Sequence, residues 1–253
     1  MKGCLSLASS VKHSALTNEQ YTPAIIVEMV REVLGSIDLD PATALLANKT
    51  VGAERIFTIE DGPEATFNAS WEGNVFLNPP GGQKMVLLGT GYNSNPSLFW
   101  GKMMHAWDQE KTMRAGIFLG FTLEVLQSSQ CVEKYPMLRF PICVPSRRIA
   151  FDVPRELRIQ QLQDLLARTS ADKQKNIRKK LAEAEASKEE LVPGDAPPHA
   201  NVLVLVPPRE EHRFGMAVPW DNPEEEEREW VGFEGPVSRK FQQVFSKLGY
   251  VRI

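Results

Sequence analysis

The chain is short of the features that usually announce a function. Its 253 residues include only three cysteines, Cys4, Cys131 and Cys143, widely spaced and odd in number. That excludes a disulfide framework. The four histidines, His13, His105, His199 and His212, are scattered as well, so no metal-ligand spacing exists and no structural zinc is expected. The thiols read as buried or incidental, in a reducing, intracellular compartment. No apolar run is long enough to span a bilayer. Residues 1–8 lack the hydrophobic core of a signal peptide. A dominant charge is missing too. The net charge of −3 is not the footprint of a strong nonspecific nucleic-acid binder, although one basic face would serve for phosphate contacts. Much of the acid sits in Glu224-Glu225-Glu226-Glu227, expected as a solvated loop. The glycine-rich phosphate loop of dinucleotide-binding proteins is absent, and there is no internal repeat.

What is present is Val75-Phe76-Leu77-Asn78-Pro79-Pro80-Gly81-Gly82. Three apolar residues run into Asn-Pro-Pro, which predicts a buried strand that stops abruptly, because proline has no N–H to continue a ladder. Asn78 is thereby delivered to a strand's carboxyl end, where open α/β sheets place their ligands. Taken alone, Asn-Pro-Pro is an ordinary turn. After a hydrophobic strand it also suits work on an aromatic amino group, whose lone pair is delocalised into its ring. The Asn78 side-chain oxygen and the Pro79 carbonyl can each accept one amino hydrogen. Two acceptors on one nitrogen favour a pyramidal geometry and stabilise the positive charge that develops there.

Three further segments precede it in order: Tyr21-Thr22-Pro23, then Ile37-Asp38-Leu39-Asp40-Pro41-Ala42, then Glu60-Asp61-Gly62 with Trp71-Glu72-Gly73. Together with Asn-Pro-Pro these resemble the phage-type DNA N6-adenine methyltransferase family over roughly residues 20 to 150. The resemblance implies a cytoplasmic enzyme of a bacterial or phage-infected cell, in a DNA methylation or restriction-modification setting. It implies S-adenosylmethionine as cofactor and double-stranded DNA with a flipped adenine as substrate. Tyr21, Thr22, Pro23, Asp38, Asp40, Pro41 and Asp61 would bind the cofactor. Asn78, Pro79 and Pro80 would be catalytic. Relatives follow Asn-Pro-Pro with Tyr or Phe, whose ring stacks on the base, whereas this chain has Gly81. Tyr92, Phe99 or Trp100 would then supply the platform. Two alternatives stay open. One is a catalytically degenerate protein that binds nucleic acid or a protein partner. The other is an amino-methyltransferase with another acceptor, cytosine N4 or RNA.

The rest of the chain predicts an α/β fold with a mainly parallel sheet, flanking helices and a helical insertion, and the resemblance implies that it is of Rossmann-like, class I methyltransferase type. Residues 1–19 read as a mobile terminus, 20–152 as the catalytic core, 153–197 as the insertion, and 198–253 as completion of the sheet and a last helix. Thr22-Pro23 opens a helix that Gly35 stops. Asn95-Pro96 opens another, whose Phe99, Trp100, Met103, Met104 and Trp107 form one apolar face. A strand is expected at 116–120, a short helix from Thr122, an edge strand within 136–144, and a central strand at 201–206. Pro236 starts the final helix. Arg147 and Arg148 read as solvated surface or as contacts to phosphates or a base edge. Lys175, Arg178 and Lys179, with Lys173 and Lys180, read as a solvated helix face or as a DNA-gripping element.

Overall fold

A computed structural model of the chain describes residues 20–80, 95–121, 135–197, 199–217 and 228–253. In chain order its strands are β1 (Leu39–Asp40), β2 (Arg55–Ile56), β3 (Gly73–Leu77), β4 (Met113–Phe121), β5 (Ile142–Pro145), β6 (Asp152–Pro154), β7 (Leu191–Pro193), β8 (Asn201–Val206), β9 (His212–Ala217), β10 (Arg228–Phe233) and β11 (Gly249–Arg252). The helices are α1 (Ala24–Leu34), α2 (Leu45–Val51), α3 (Gly62–Asn68), α4 (Asn95–Met104), α5 (Arg155–Arg168), α6 (Gln174–Ala186) and α7 (Pro236–Phe245). The chain divides into two compact units. The first is drawn from residues 24–148 and 199–253, and the second from 149–198 with the segment that ends at Pro23.

The first unit is α/β, built on a seven-stranded sheet of order β11-β5-β8-β4-β3-β1-β2. Strands β2, β1, β3 and β4 pair in parallel. Strand β8 is antiparallel to both β4 and β5, and β11 is antiparallel to β5. Strands β1 to β5 therefore share one direction, and the sheet is mixed but mostly parallel. Parallel neighbours need long crossovers, and the three here carry α2, α3 and α4 in turn. The architecture is compatible with a Rossmann-like fold.

The buried runs explain the sheet. Val75, Phe76 and Leu77 are each fully buried, as are all six residues of β8, so both faces of these strands are covered. Val75, Leu77, Phe118, Val202, Val204 and Val206 join Phe99, Trp100, Met103 and Trp107 of the α4 segment in one core. By strand alternation Phe76, Ile117, Leu203 and Leu205 point to the other face, where α1 packs against α7 and β4. Helix α1 buries Ile26, Val27, Val30, Val33 and Leu34 and stops at Gly35, whose φ of 90° suits glycine. The expected edge strand is instead interior: β5 lies between β8 and β11. Its prolines do not interrupt the ladder. Pro136 precedes a 3-10 turn, and Pro141 lies just before the strand, where its carbonyl accepts the Leu205 N–H at 2.9 Å.

The second unit is a helical hairpin, α5 against α6, closed by the antiparallel pair β6–β7. Tyr21 extends that pair, exchanging two 2.8 Å backbone hydrogen bonds with Asp152. Buried Arg158 donates both guanidinium nitrogens to Asp195, at 2.9 and 3.0 Å, and Lys180 adds a 2.8 Å bond to the same carboxylate. The Arg158 bonds hold the Asp195 carboxyl well below the usual carboxylate range. Its stabilisation is therefore complete above about pH 4 and fades as the pH falls below that. Asp195→Ala leaves the Arg158 charge buried without its carboxylate. The expected loss is about 1–3 kcal/mol at neutral pH. Urea unfolding should show it, and the difference from wild type should shrink toward pH 2.

Candidate active site

The chain changes direction at one place in the parallel half of the sheet. From β1 it moves outward to β2, then returns to β3 on the opposite side of β1 and continues to β4. Strands β1 and β3 are neighbours whose outgoing connections diverge. Such a switch point opens a crevice outside the carboxyl ends of the two strands, where ligands of open α/β sheets bind. Asp40 is the last residue of β1, and Asn78 is the first residue after β3. Leu39 pairs with Val75, which places Asn78 at the level of Ala42, just past the β1 terminus. Two of the expected groups thus converge on one edge.

Asn78 is half-buried, Pro79 is buried and Pro80 is exposed. The strand's hydrogen bonding ends at Leu77, as the two prolines require. Asp40 is 2 % exposed. Its Oδ1 accepts the Ala42 N–H at 3.2 Å, and the Thr43 side chain bonds to it as well. These bonds do not offset the loss of water: burial pushes its carboxyl up to about 7. Pro41 is buried beside it. The turn after β1 is tied to the turn after β2, because Phe57 N–H donates to the Asp40 carbonyl and Thr43 N–H to the Phe57 carbonyl, both at 3.0 Å.

Asp38 departs from its expected place. It lies before β1 and faces the amino end of β3. Its N–H donates to the Asn74 carbonyl at 2.8 Å, and its Oδ2 accepts the Asn74 N–H at 2.7 Å. Asn74 is four residues upstream of Asn78, roughly 13 Å along a strand. The Asp38 carboxylate is a brace between strands. Asn74, which sequence reasoning passed over, completes the brace: its Nδ2 donates to the Leu34 carbonyl at 3.2 Å and Ser36 Oγ at 3.0 Å, and Arg114 donates to its Oδ1 at 3.1 Å. Gly73 makes room, since a Cβ there would stand 2.2 Å from Asp38 Oδ2 at a φ of 69°. The available signal was a Gly-Asn pair at the mouth of an apolar run, where a buried amide needs partners.

Trp100 also departs from expectation. It is fully buried, donates its indole N–H to the Tyr135 carbonyl at 2.8 Å, and packs edge-on against Phe118 and Phe140. It is a core residue and cannot serve as a base platform in this packing. Phe99 is likewise enclosed, against Phe67 and Trp71. Gly81 and Tyr92 lie outside the described residues, as does the expected helix from Thr122. Asp61 is exposed and closes a capping box: its Oδ2 accepts the Thr58 N–H at 2.7 Å and the Thr58 hydroxyl at 2.9 Å, which lowers its carboxyl pKa. Tyr21, Thr22 and Pro23 belong to the second unit.

Arg147 and Arg148 are exposed just after β5. That strand runs with β3, so they share its carboxyl edge, three strand spacings or roughly 14 Å away. Lys175, Arg178 and Lys179 are exposed on α6 of the second unit. A cavity of about 380 Å³, lined by Arg114, Glu210, Glu234 and Arg239 among others, lies at the opposite edge of the sheet, near the start of β4. Among the described residues no cluster of His, Cys, Asp or Glu could hold a metal, and no helix is long and apolar enough to cross a membrane. Cys143 is buried, and burial pushes its thiol up to about 12. No family model, curated protein or solved structure matches this chain.

Asp40 binds its proton more tightly in the fold than in the unfolded chain, so stability falls as the pH rises from about 4 to about 7 and stays low above that. Asp40→Asn removes this dependence. Relative to wild type, the variant should gain up to about 4 kcal/mol at pH 8 and much less at pH 4, measured by urea unfolding. Equal pH profiles for the two proteins would refute the assignment.

Proposed function

We propose that this chain is an S-adenosylmethionine-dependent DNA methyltransferase that modifies the exocyclic N6 amino group of adenine. The observation that carries the reading is the meeting of Asp40 and Asn78-Pro79 at the carboxyl ends of β1 and β3, where the strand order switches. The resemblance of the ordered motifs to phage-type adenine methyltransferases supplies the reaction class. The mixed, mostly parallel sheet is consistent with a class I methyltransferase fold.

The target base leaves the duplex so that its amino group can reach the site. Asn78 Oδ1 accepts one amino hydrogen and the Pro79 carbonyl accepts the other. This draws the nitrogen toward a pyramidal shape with its lone pair directed outward. The prolines stiffen the turn, so the two acceptors need little reorganisation as positive charge develops on nitrogen. S-adenosylmethionine, when bound, supplies the methyl group from a sulfonium centre. Asp40 fits it by chemistry, because a buried carboxyl at a strand end favours an ammonium or hydroxyl partner. Pro41 is the buried residue that shapes this loop. By resemblance Asp61 adds to the cofactor set. After methyl transfer the nitrogen loses a proton to water.

The burial of Trp100 favours one second reading, a noncatalytic protein of the same fold, because it removes one of the rings expected to hold the base. Asn78→Ala separates the two. Methylation of DNA adenine, followed by nucleoside mass spectrometry, should fall at least about 100-fold. S-adenosylmethionine affinity, measured by calorimetry, should stay near wild type. Undiminished methylation by the variant would end the mechanism. Failure of the wild-type protein to bind the cofactor would favour the noncatalytic reading.

A further inference from the structure

We propose that the outward stripe of α6 grips the phosphate backbone of double-stranded DNA, independently of base sequence. Lys175, Arg178 and Lys179 stand at helical positions i, i+3 and i+4, so they share one face. All three are exposed. The opposite face carries half-buried Ile177 and Leu181 and buried Ala184, the apolar side that packs in the hairpin with α5. Lys173, in the turn before α6, and Arg168, at the end of α5, are exposed too and extend the basic end of the hairpin.

An ordinary solvated helix face places opposite charges three or four residues apart, a spacing kept by Lys179 with Glu183 and by Lys175 with Asp172 of the preceding turn. Here Lys175 has a like charge at both i+3 and i+4, an arrangement that weakens an isolated helix. Arg178 is steadied by Gln174, a neutral partner, at 2.8 Å. Lys179 has only an exposed contact with Glu183 at 3.7 Å, worth little in water. Lys180 stands apart from the stripe, half-buried and bonded to Asp195, a carboxylate it shares with Arg158. The glutamates Glu183, Glu185, Glu189 and Glu190 gather at the other end of α6 and just beyond it, whereas Asp172 is the acid in the turn before α6 and Glu156 and Asp164 lie on α5. Charge is thus sorted along the helix, and a polyanion relieves the repulsion at the basic end.

Geometry fits a backbone. Lys175 and Lys179 are about 6 Å apart along the helix axis. Phosphates of one DNA strand repeat about every 3.4 Å of duplex, so the three cations can meet up to three of them. Contacts of this kind set affinity and orientation and carry no sequence information. The stripe therefore serves the proposed function by holding the duplex while other residues choose and process the base. It rests on that function only for the identity of the polyanion.

The test uses the full chain and a short mixed-sequence duplex, with binding measured over a range of NaCl concentrations. The triple variant Lys175→Gln, Arg178→Gln, Lys179→Gln should bind on the order of 100-fold more weakly at about 0.1 M salt. Its slope of log affinity against log salt should be shallower by about 2.7. Lys175→Arg with Lys179→Arg should retain both values. Circular dichroism should show the triple variant folded and, at low salt, no less heat-stable than wild type. Unchanged affinity and slope in the triple variant would overturn the proposal. So would stripe-dependent capture by phosphatidylserine vesicles with no binding to duplex. Stripe-dependent duplex binding by a wild-type protein that methylates nothing would leave the grip standing and remove the methyltransferase reading.

Discussion

The parallel half of the sheet depends on one polar clamp, between Asp38 and Asn74. Strand β1 is only two residues long, too short to define its own pairing by ladder hydrogen bonds. Asp38 exchanges backbone and carboxylate bonds with Asn74, and the Asn74 amide reaches Leu34 and Ser36 at the end of α1 and Arg114 of β4. One side chain therefore fixes the register of three strands and the end of a helix. A slip of one residue would turn Leu39 out of the core and reverse the faces of Asp40 and Leu39 together. The clamp is polar and buried, which costs stability unless every group is partnered, and it is specific for the same reason.

The other end of the same two strands carries the proposed chemistry. Register set at Asp38–Asn74 is transmitted along β3 through three buried residues, and proline then stops the strand. Asp40 and Asn78 reach the edge as a consequence of that single alignment. The arrangement separates two tasks that are easily confused in a sequence. An acid at the amino end holds strands together, while the acid at the carboxyl end is the one proposed to meet a ligand. Among the described residues Asp40 is met by an N–H and a hydroxyl, which do not offset its burial, and its raised pKa records the imbalance. Such a group is poorly matched to its own fold and better matched to a polar ligand, which is the usual mark of a binding edge.

Much of this was legible in the residues, and the omissions have physical causes. The strand at Val75, the helix ended by Gly35, the apolar stripe from Phe99 to Trp107 and the buried strand at 201–206 all announce themselves, because burial imposes a period on side chains. Strands β2 and β11 did not, since two or four residues at a sheet edge, with exposed Arg55 or Tyr250, carry no period to read. The Asp38 role was missed because its partner is 36 residues away, and sequence distance hides a hydrogen bond. Trp100 was ambiguous by nature: a tryptophan on an apolar helix face looks the same whether its outer edge meets a ligand or another strand. Here the Tyr135 carbonyl meets its N–H and decides the matter. Asn78 was readable because proline leaves a backbone signature that few other residues mimic.

Net charge is equally blind to position. A value of −3 argues against a polyanion partner only if charge is evenly spread. In the hairpin it is not. Residues 168–180 hold six cations, Arg168, Lys173, Lys175, Arg178, Lys179 and Lys180, against the single acid Asp172, whereas 183–190 hold four glutamates and one lysine. Over a Debye length of about 8 Å at physiological salt, a ligand senses the nearer cluster and little of the far one. The two clusters meet at Lys179 and Glu183, 3.7 Å apart, but their outer members act on different parts of the surface. A total summed over the chain averages them away, so the physically relevant quantity is charge per screening length along an exposed face.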